Sequence, residues 1–154
     1  MPRALALAAA VLIASPAAAD WQNTRWGMTE AEAAQAVPGA SAPPAGKEER
    51  LHASHGAARL VFRWESGDYR FSGFLYFSQR GGGLSMVRLR LLDRHKCGEL
   101  FYALRLKYGE PASLDRSVGA AAWVTASTRI AWSAEKAFCE VRYASRAIDN
   151  NKGL

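Results

Sequence analysis

The chain has 154 residues, a formal net charge of +6, two cysteines and 22% charged residues. Nearly half of it is hydrophobic, at 49%, which suits one apolar core. That composition and length exclude a disordered chain and a second domain.

Residues 1–19 read MPRALALAAAVLIASPAAA. One early basic residue, Arg3, precedes an apolar run from Ala4 to Ala14, then Ser15, Pro16 and a small-residue end. Ala17 and Ala19 satisfy the A-x-A rule, so a signal peptide cut before Asp20 is expected. Removing 19 of 154 residues leaves 135, with a net charge of +5 because Arg3 is lost. The apolar run falls short of the ~20 residues of a spanning helix. No cysteine lies near the cut, so no lipid anchor is expected. The protein is therefore expected to be periplasmic or secreted and not membrane-spanning.

Thr29 is a helix N-cap, with Glu30 and Glu32 in the first turn where the helix dipole favours anions. A short helix over 30–37 ends at Pro38-Gly39. From Pro38 to Gly56 the chain is loop-like, with an edge strand near Leu51. Three strands follow: 57–64, 69–78 and 84–92, separated by Gly67 and Gly81-Gly82-Gly83 turns. Alternation puts Leu60, Phe62, Trp64, Phe71, Leu75, Phe77, Val87, Leu89 and Leu91 on one face. Arg59, Val61, Arg63, Arg70, Phe74, Tyr76, Met86, Arg88 and Arg90 take the other.

The period then changes. Cys97, Leu100, Phe101, Leu104 and Tyr108 form one helical stripe over 94–108. Asp93 begins that helix; Gly109 and Pro111 end it. Strands 120–125, 128–133 and 138–145 complete the chain, and 146–154 is expected to fray. The fold class is α+β: a single antiparallel sheet of about six strands in αβββ-αβββ order, with two helices packed on one face. The repeated order allows a duplication, though the halves share few identical residues. Cys97 on the helical stripe and Cys139 on an inward strand position are expected to form a disulfide in an oxidising compartment. Two buried free thiols are the alternative.

Trp26-Gly27-Met28-Thr29-Glu30 resembles the G-M-[ST] helix start of small exported bacterial proteins. Tyr108-Gly109-Glu110-Pro111 resembles their Y-G-x-P helix exit. The arrangement of helices and strands also looks like the β-lactamase inhibitory protein fold and the small outer-membrane assembly lipoproteins. That resemblance implies binding to other proteins with no catalytic centre. The two motifs cover about nine residues, and each motif is largely a helix-capping device. The resemblance carries no functional residue across, and the lipoproteins' anchoring cysteine is missing.

Few residues point to chemistry. His52 and His55 form H-x-x-H, the basis of an alternative reading as a metal-binding protein or hydrolase; the third group is left open, with His95 a candidate that the sequence does not place nearby. They sit in a loop-like segment without the H-E-x-x-H glutamate, so solvated histidines are the simpler reading. No G-x-S-x-G elbow occurs. The Gly81-Gly82-Gly83 run joins strands and opens no helix, so it is not a phosphate cradle. Neither a cofactor nor a catalytic residue is expected. Trp21 and Trp26 either dock the N-terminus or offer an aromatic contact.

The arginines are the main polar feature. Arg59, Arg63, Arg70, Arg88 and Arg90, with Phe74 and Tyr76, are expected on a water-facing sheet surface. Mixed arginine and aromatic residues are common at contact surfaces. The expected activity is non-enzymatic: a binding or accessory module for another envelope protein or an anionic envelope component. Export disfavours nucleic acid as the partner.

Overall fold

The computed structural model describes residues 20–47, 57–79 and 81–149. The expected leader, the edge strand near Leu51, and His52 and His55 lie outside the described residues. Among the described residues, no helix is long and apolar enough to cross a membrane.

The first described segment is a clamp. Trp21 is buried, its ring 5.6 Å from Phe62 and 5.4 Å from Trp64. Trp26 Nε1–H donates to Thr128 Oγ1 at 2.9 Å. Gly27 N–H donates to Leu84 O, and Leu84 N–H donates to Met28 O. A Cβ on Gly83 would come within 2.7 Å of Gly27 Cα, so glycine is what lets the two backbones approach. The W-G-M-T motif thus ties the N-terminal segment to two distant parts of the sheet.

Thr29 then starts α1 (Glu30–Ala36) with a full capping box. Glu32 N–H donates to Thr29 Oγ1, and Thr29 N–H donates to Glu32 Oε2 at 2.8 Å. The T-x-x-E spacing carried that signal, beyond the N-cap read from Thr29 alone. Those bonds to Thr29 hold the Glu32 carboxyl below its ordinary pKa.

Strands β1 (Leu60–Ser66), β2 (Tyr69–Phe77) and β3 (Leu84–Leu91) form an antiparallel meander. Gly67, at φ +56°, takes the first central position of the two-residue β1–β2 turn. A 3₁₀ turn (Arg94–Lys96), capped by the Asp93 carboxylate, leads into α2 (Cys97–Tyr108). Next come β4 (Ser113–Asp115), β5 (Ala120–Val124), β6 (Thr128–Ala134) and β7 (Cys139–Ser145).

Among the described residues there are seven strands, all paired antiparallel, in spatial order β1-β2-β3-β7-β6-β5-β4. The third strands of the two expected triads therefore meet in the centre of the sheet. The six-strand expectation falls one short. Ser113-Leu114-Asp115 is too brief to show alternation, and it becomes a strand only by pairing with β5. The fraying expected over 146–154 is corrected for its first four residues, and 150–154 lie outside the described residues. Arg146–Asp149 forms a helical turn, α3, and Arg146 Nη1 donates to Thr125 O and Ala126 O.

Ala33 and Val37 from the α1 region, and Leu100 and Leu104 from α2, join one core with Phe62, Phe71, Leu75, Val87, Leu89, Ile130 and Val141. Both helices thus contribute to the core on the apolar face. Cys97 and Cys139 are disulfide-bonded, with Cα atoms 5.9 Å apart, which ties α2 to β7. Cross-linking across 42 residues contributes about 4 kcal/mol in the chain-entropy treatment. Gly73 has a packing role: Phe62 lies where its Cβ would be, with ring atoms 2.2–2.4 Å from that position.

Candidate functional site

The register confirms the face assigned to the arginines, but not its exposure. Arg63 pairs with Ser72, Phe74 with Arg88, and Arg90 with Glu140 across β1, β2, β3 and β7. Arg59, Arg63 and Arg70 are exposed. Arg88, Phe74 and Tyr76 are buried, at 5%, 8% and 0% exposure, and Arg90 is half-buried. The expectation that all seven face water is therefore corrected. Ala58, Phe74, Tyr76 and Met86 form a second apolar cluster on this side, with Val61 and Ala144 packed against it. Period-two alternation assigns a side chain to a face. It does not say how deeply neighbouring long side chains bury it.

At the centre lies a buried ion pair. Arg88 Nε and Nη2 both donate to Glu140 Oε2 at 2.6 Å, with side-chain exposures of only 6% and 3%. Arg142 Nε lies 3.3 Å from the other carboxylate oxygen. The Arg88 and Arg90 guanidinium groups each lie 5.5–5.9 Å from the Phe74 and Phe138 ring centroids. That distance permits cation–π attraction. Burial alone would lower the Arg88 pKa; the hydrogen bonds with Tyr76 and Glu140 and the Glu140 charge outweigh it, and the net shift is upward. Arg88 is thus a fixed cation inside the sheet surface.

Glu140, Arg142 and Phe138 were not singled out from sequence. Their signal was available: 138, 140 and 142 alternate with the inward Cys139, Val141 and Tyr143. Around the buried pair, the outer edge stays basic. Arg63 Nη1 donates to Ser72 Oγ at 2.6 Å, and Arg59 pairs with Glu30 at 3.3 Å. This face carries Arg59, just before β1, and, among the described strands, Arg63, Arg70, Arg88, Arg90, Arg129 and Arg142. Its carboxylates are Glu65, Asp115 and Glu140.

Among the clefts elsewhere, two are rich in aromatic residues. One, of about 400 Å³, is lined by Asp20, Trp21, Lys107, Tyr108, Ser127, Thr128 and Tyr143. Its hydroxyls are engaged within the fold: Ser127 with Asp20, Thr125 with Thr128, and Tyr143 with Tyr108. Burial, then the nearby Tyr108, pushes the Tyr143 pKa well up. The other cleft, of about 340 Å³, lies between α2 and β4 and includes Phe101, Tyr102, Arg105, Leu114 and Trp132.

His95 is exposed. Among the described residues, no group of three or more His, Cys, Asp or Glu could hold a metal ion. Glu30 and Glu32 are occupied by Arg59 and the helix cap. No protein family, curated protein or solved structure matches this chain.

Proposed function

We propose that the protein is an exported, non-enzymatic binding or accessory module of the bacterial envelope. In this reading residues 1–19 are a cleaved signal peptide. The Cys97–Cys139 disulfide supports an oxidising destination. The observation that carries the binding role is the asymmetry of the sheet. One face is packed into the helix-bearing core, while the other holds an excess of arginines over carboxylates. Arg63 and Arg70 remain exposed beside the fixed Arg88–Glu140 pair. A basic surface of this kind attracts an acidic protein surface or an anionic envelope component and fixes its orientation.

The buried pair changes which residues test the idea. Arg88 holds the sheet together, so its replacement would confound binding with stability. Arg63→Glu together with Arg70→Glu reverses two exposed charges instead. A photo-crosslinking residue in place of Arg59, in cells exporting the protein, is expected to give a discrete adduct. The double charge reversal should lower that adduct at least fivefold, with thermal unfolding and the disulfide unchanged. An undiminished adduct would refute the basic face as the contact. Mature protein beginning at Asp20 on N-terminal sequencing supports export; an intact Met1 would refute the leader.

A further inference from the structure

The cleft between α2 and β4 has three features that the basic face does not explain. First, β4 is an outer strand of the sheet, and Ser113, Leu114 and Asp115 are all exposed. The phase of the ladder identifies which of its backbone groups are open. Ala134 N–H donates to Gly119 O, so Ala120↔Ser133 is a non-hydrogen-bonded pair in the β5–β6 ladder. Ala120 and Ala122 must then direct their backbone groups toward Asp115 and Ser113 of β4. Leu114, between them, turns its N–H and C=O outward.

Second, Trp132 is 8% exposed, yet its indole N–H has no acceptor among the described residues. It lines this cleft. Arg105 Nε, in the same lining, is also buried without an acceptor among the described residues, while its Nη2 pairs with Glu110. A buried donor left unbonded carries a desolvation penalty, which a ligand acceptor would relieve. Third, the polar lining is rich in donors: Trp132, Arg105 and Arg116. The Asp115 carboxylate is engaged by Ser117 N–H and Oγ–H, and these bonds hold its pKa down. Apolar surface adjoins the donors, with Tyr102 63% and Leu114 41% exposed.

We propose that this cleft and the β4 edge bind an extended peptide segment of a partner protein. The segment adds a strand at Leu114 and directs an acidic side chain, flanked by apolar residues, toward Trp132 and Arg105. Strand addition supplies backbone hydrogen bonds, and the cleft supplies side-chain selection. A carboxylate is the complement of a donor-rich lining with cationic members. Apart from Asp115, the cleft shares no residue with the basic sheet face, and the proposal does not depend on that reading.

The probe is a displayed library of random heptapeptides, selected on the full exported chain with its disulfide intact. The expected result is enrichment of sequences with Asp or Glu between β-branched or aromatic residues. Two variants test the enriched peptides. Trp132→Phe keeps an aromatic ring and removes the donor; affinity should fall about tenfold, the scale of a hydrogen bond to a charged group. Leu114→Pro removes the outward N–H at an edge where proline is tolerated, and should abolish binding. Arg63→Glu should leave peptide affinity unchanged. Replacing the enriched acid by its amide should weaken binding on the parent chain and much less on Trp132→Phe. Absence of enrichment, or peptides indifferent to both variants, would overturn the proposal. So would concentration-dependent dimerisation abolished by Leu114→Pro, which would assign the edge to a second copy of this chain.

Discussion

Arg88 and Glu140 offer the sharpest test of the claim that part of the basic face is structural. Arg88→Met keeps an unbranched apolar stem and removes the charge. Glu140 then loses both 2.6 Å bonds but retains Arg142 at 3.3 Å. Removal of one partner of a buried pair costs about 3–5 kcal/mol. The remaining Arg142 contact places Arg88→Met at the lower end, about 3 kcal/mol. Glu140→Leu removes the carboxylate that joins Arg88 and Arg142, leaving Arg88 with a side chain only 6% exposed. Its expected cost is higher, about 4–5 kcal/mol. The double variant leaves neither charge of the pair, and Arg142, 38% exposed, is hydrated. Its expected loss is about 1–2 kcal/mol, because apolar replacement of an ion pair is often near neutral. Urea unfolding followed by tryptophan fluorescence, with the disulfide intact, measures all four proteins. Glu140→Leu is expected to lose more stability than Arg88→Met, and the double variant less than either. Single losses below about 1 kcal/mol, or a double variant equal to their sum, would refute a coupled buried pair.

Other perturbations test separate parts of the fold. Cys97→Ala with Cys139→Ala should lower stability by about 4 kcal/mol, read by urea unfolding against the oxidised parent. Gly73→Ala should cost about 1–3 kcal/mol through collision with the Phe62 ring, and Phe62→Leu in the same chain should recover part of that loss in thermal melts. Tyr143 has its folded pKa raised above the ordinary value of 10.0, so its contribution is present below pH 10 and is lost as pH rises beyond it. Alkaline urea titrations should show that limb, and Tyr143→Phe should reduce its slope by about 1.4 kcal/mol per pH unit, one proton's worth. An unchanged slope would place the tyrosine's ionisation outside the folding equilibrium.

The elements legible in the sequence share one property: each is fixed by spacing within a short stretch. The α2 stripe from Cys97 to Tyr108 sits at helical intervals, and Leu100 and Leu104 are buried as that spacing requires. Strands β1 to β3 show strict alternation, and their partners follow from short connections. Strand β4 has three residues and no period to display. It exists because Leu114 lies opposite Ala121, a long-range fact. The Arg146–Asp149 turn is similar, since bonds from Arg146 to Thr125 and Ala126 fasten a segment whose polarity suggested fraying.

The arginine face shows why a correct side assignment can still give a wrong environment. Arg88 lies on the predicted side, but residues distant in sequence decide its surroundings: Phe74 from β2, Glu140 from β7 and the Phe138 ring just before β7. Charge counting treats these arginines as equivalent members of a basic patch. The structure divides them by solvation, with Arg88 fixed in an ion pair and Arg63 and Arg70 exposed. Only the exposed members can change their partners without first disrupting the sheet. Recognition of a ligand by this face would therefore combine adaptable outer arginines with a stationary Arg88–Phe74–Glu140 support. Charge reversal at Arg63 and Arg70 should mainly slow association, whereas loss of Glu140 should loosen the support before any partner arrives.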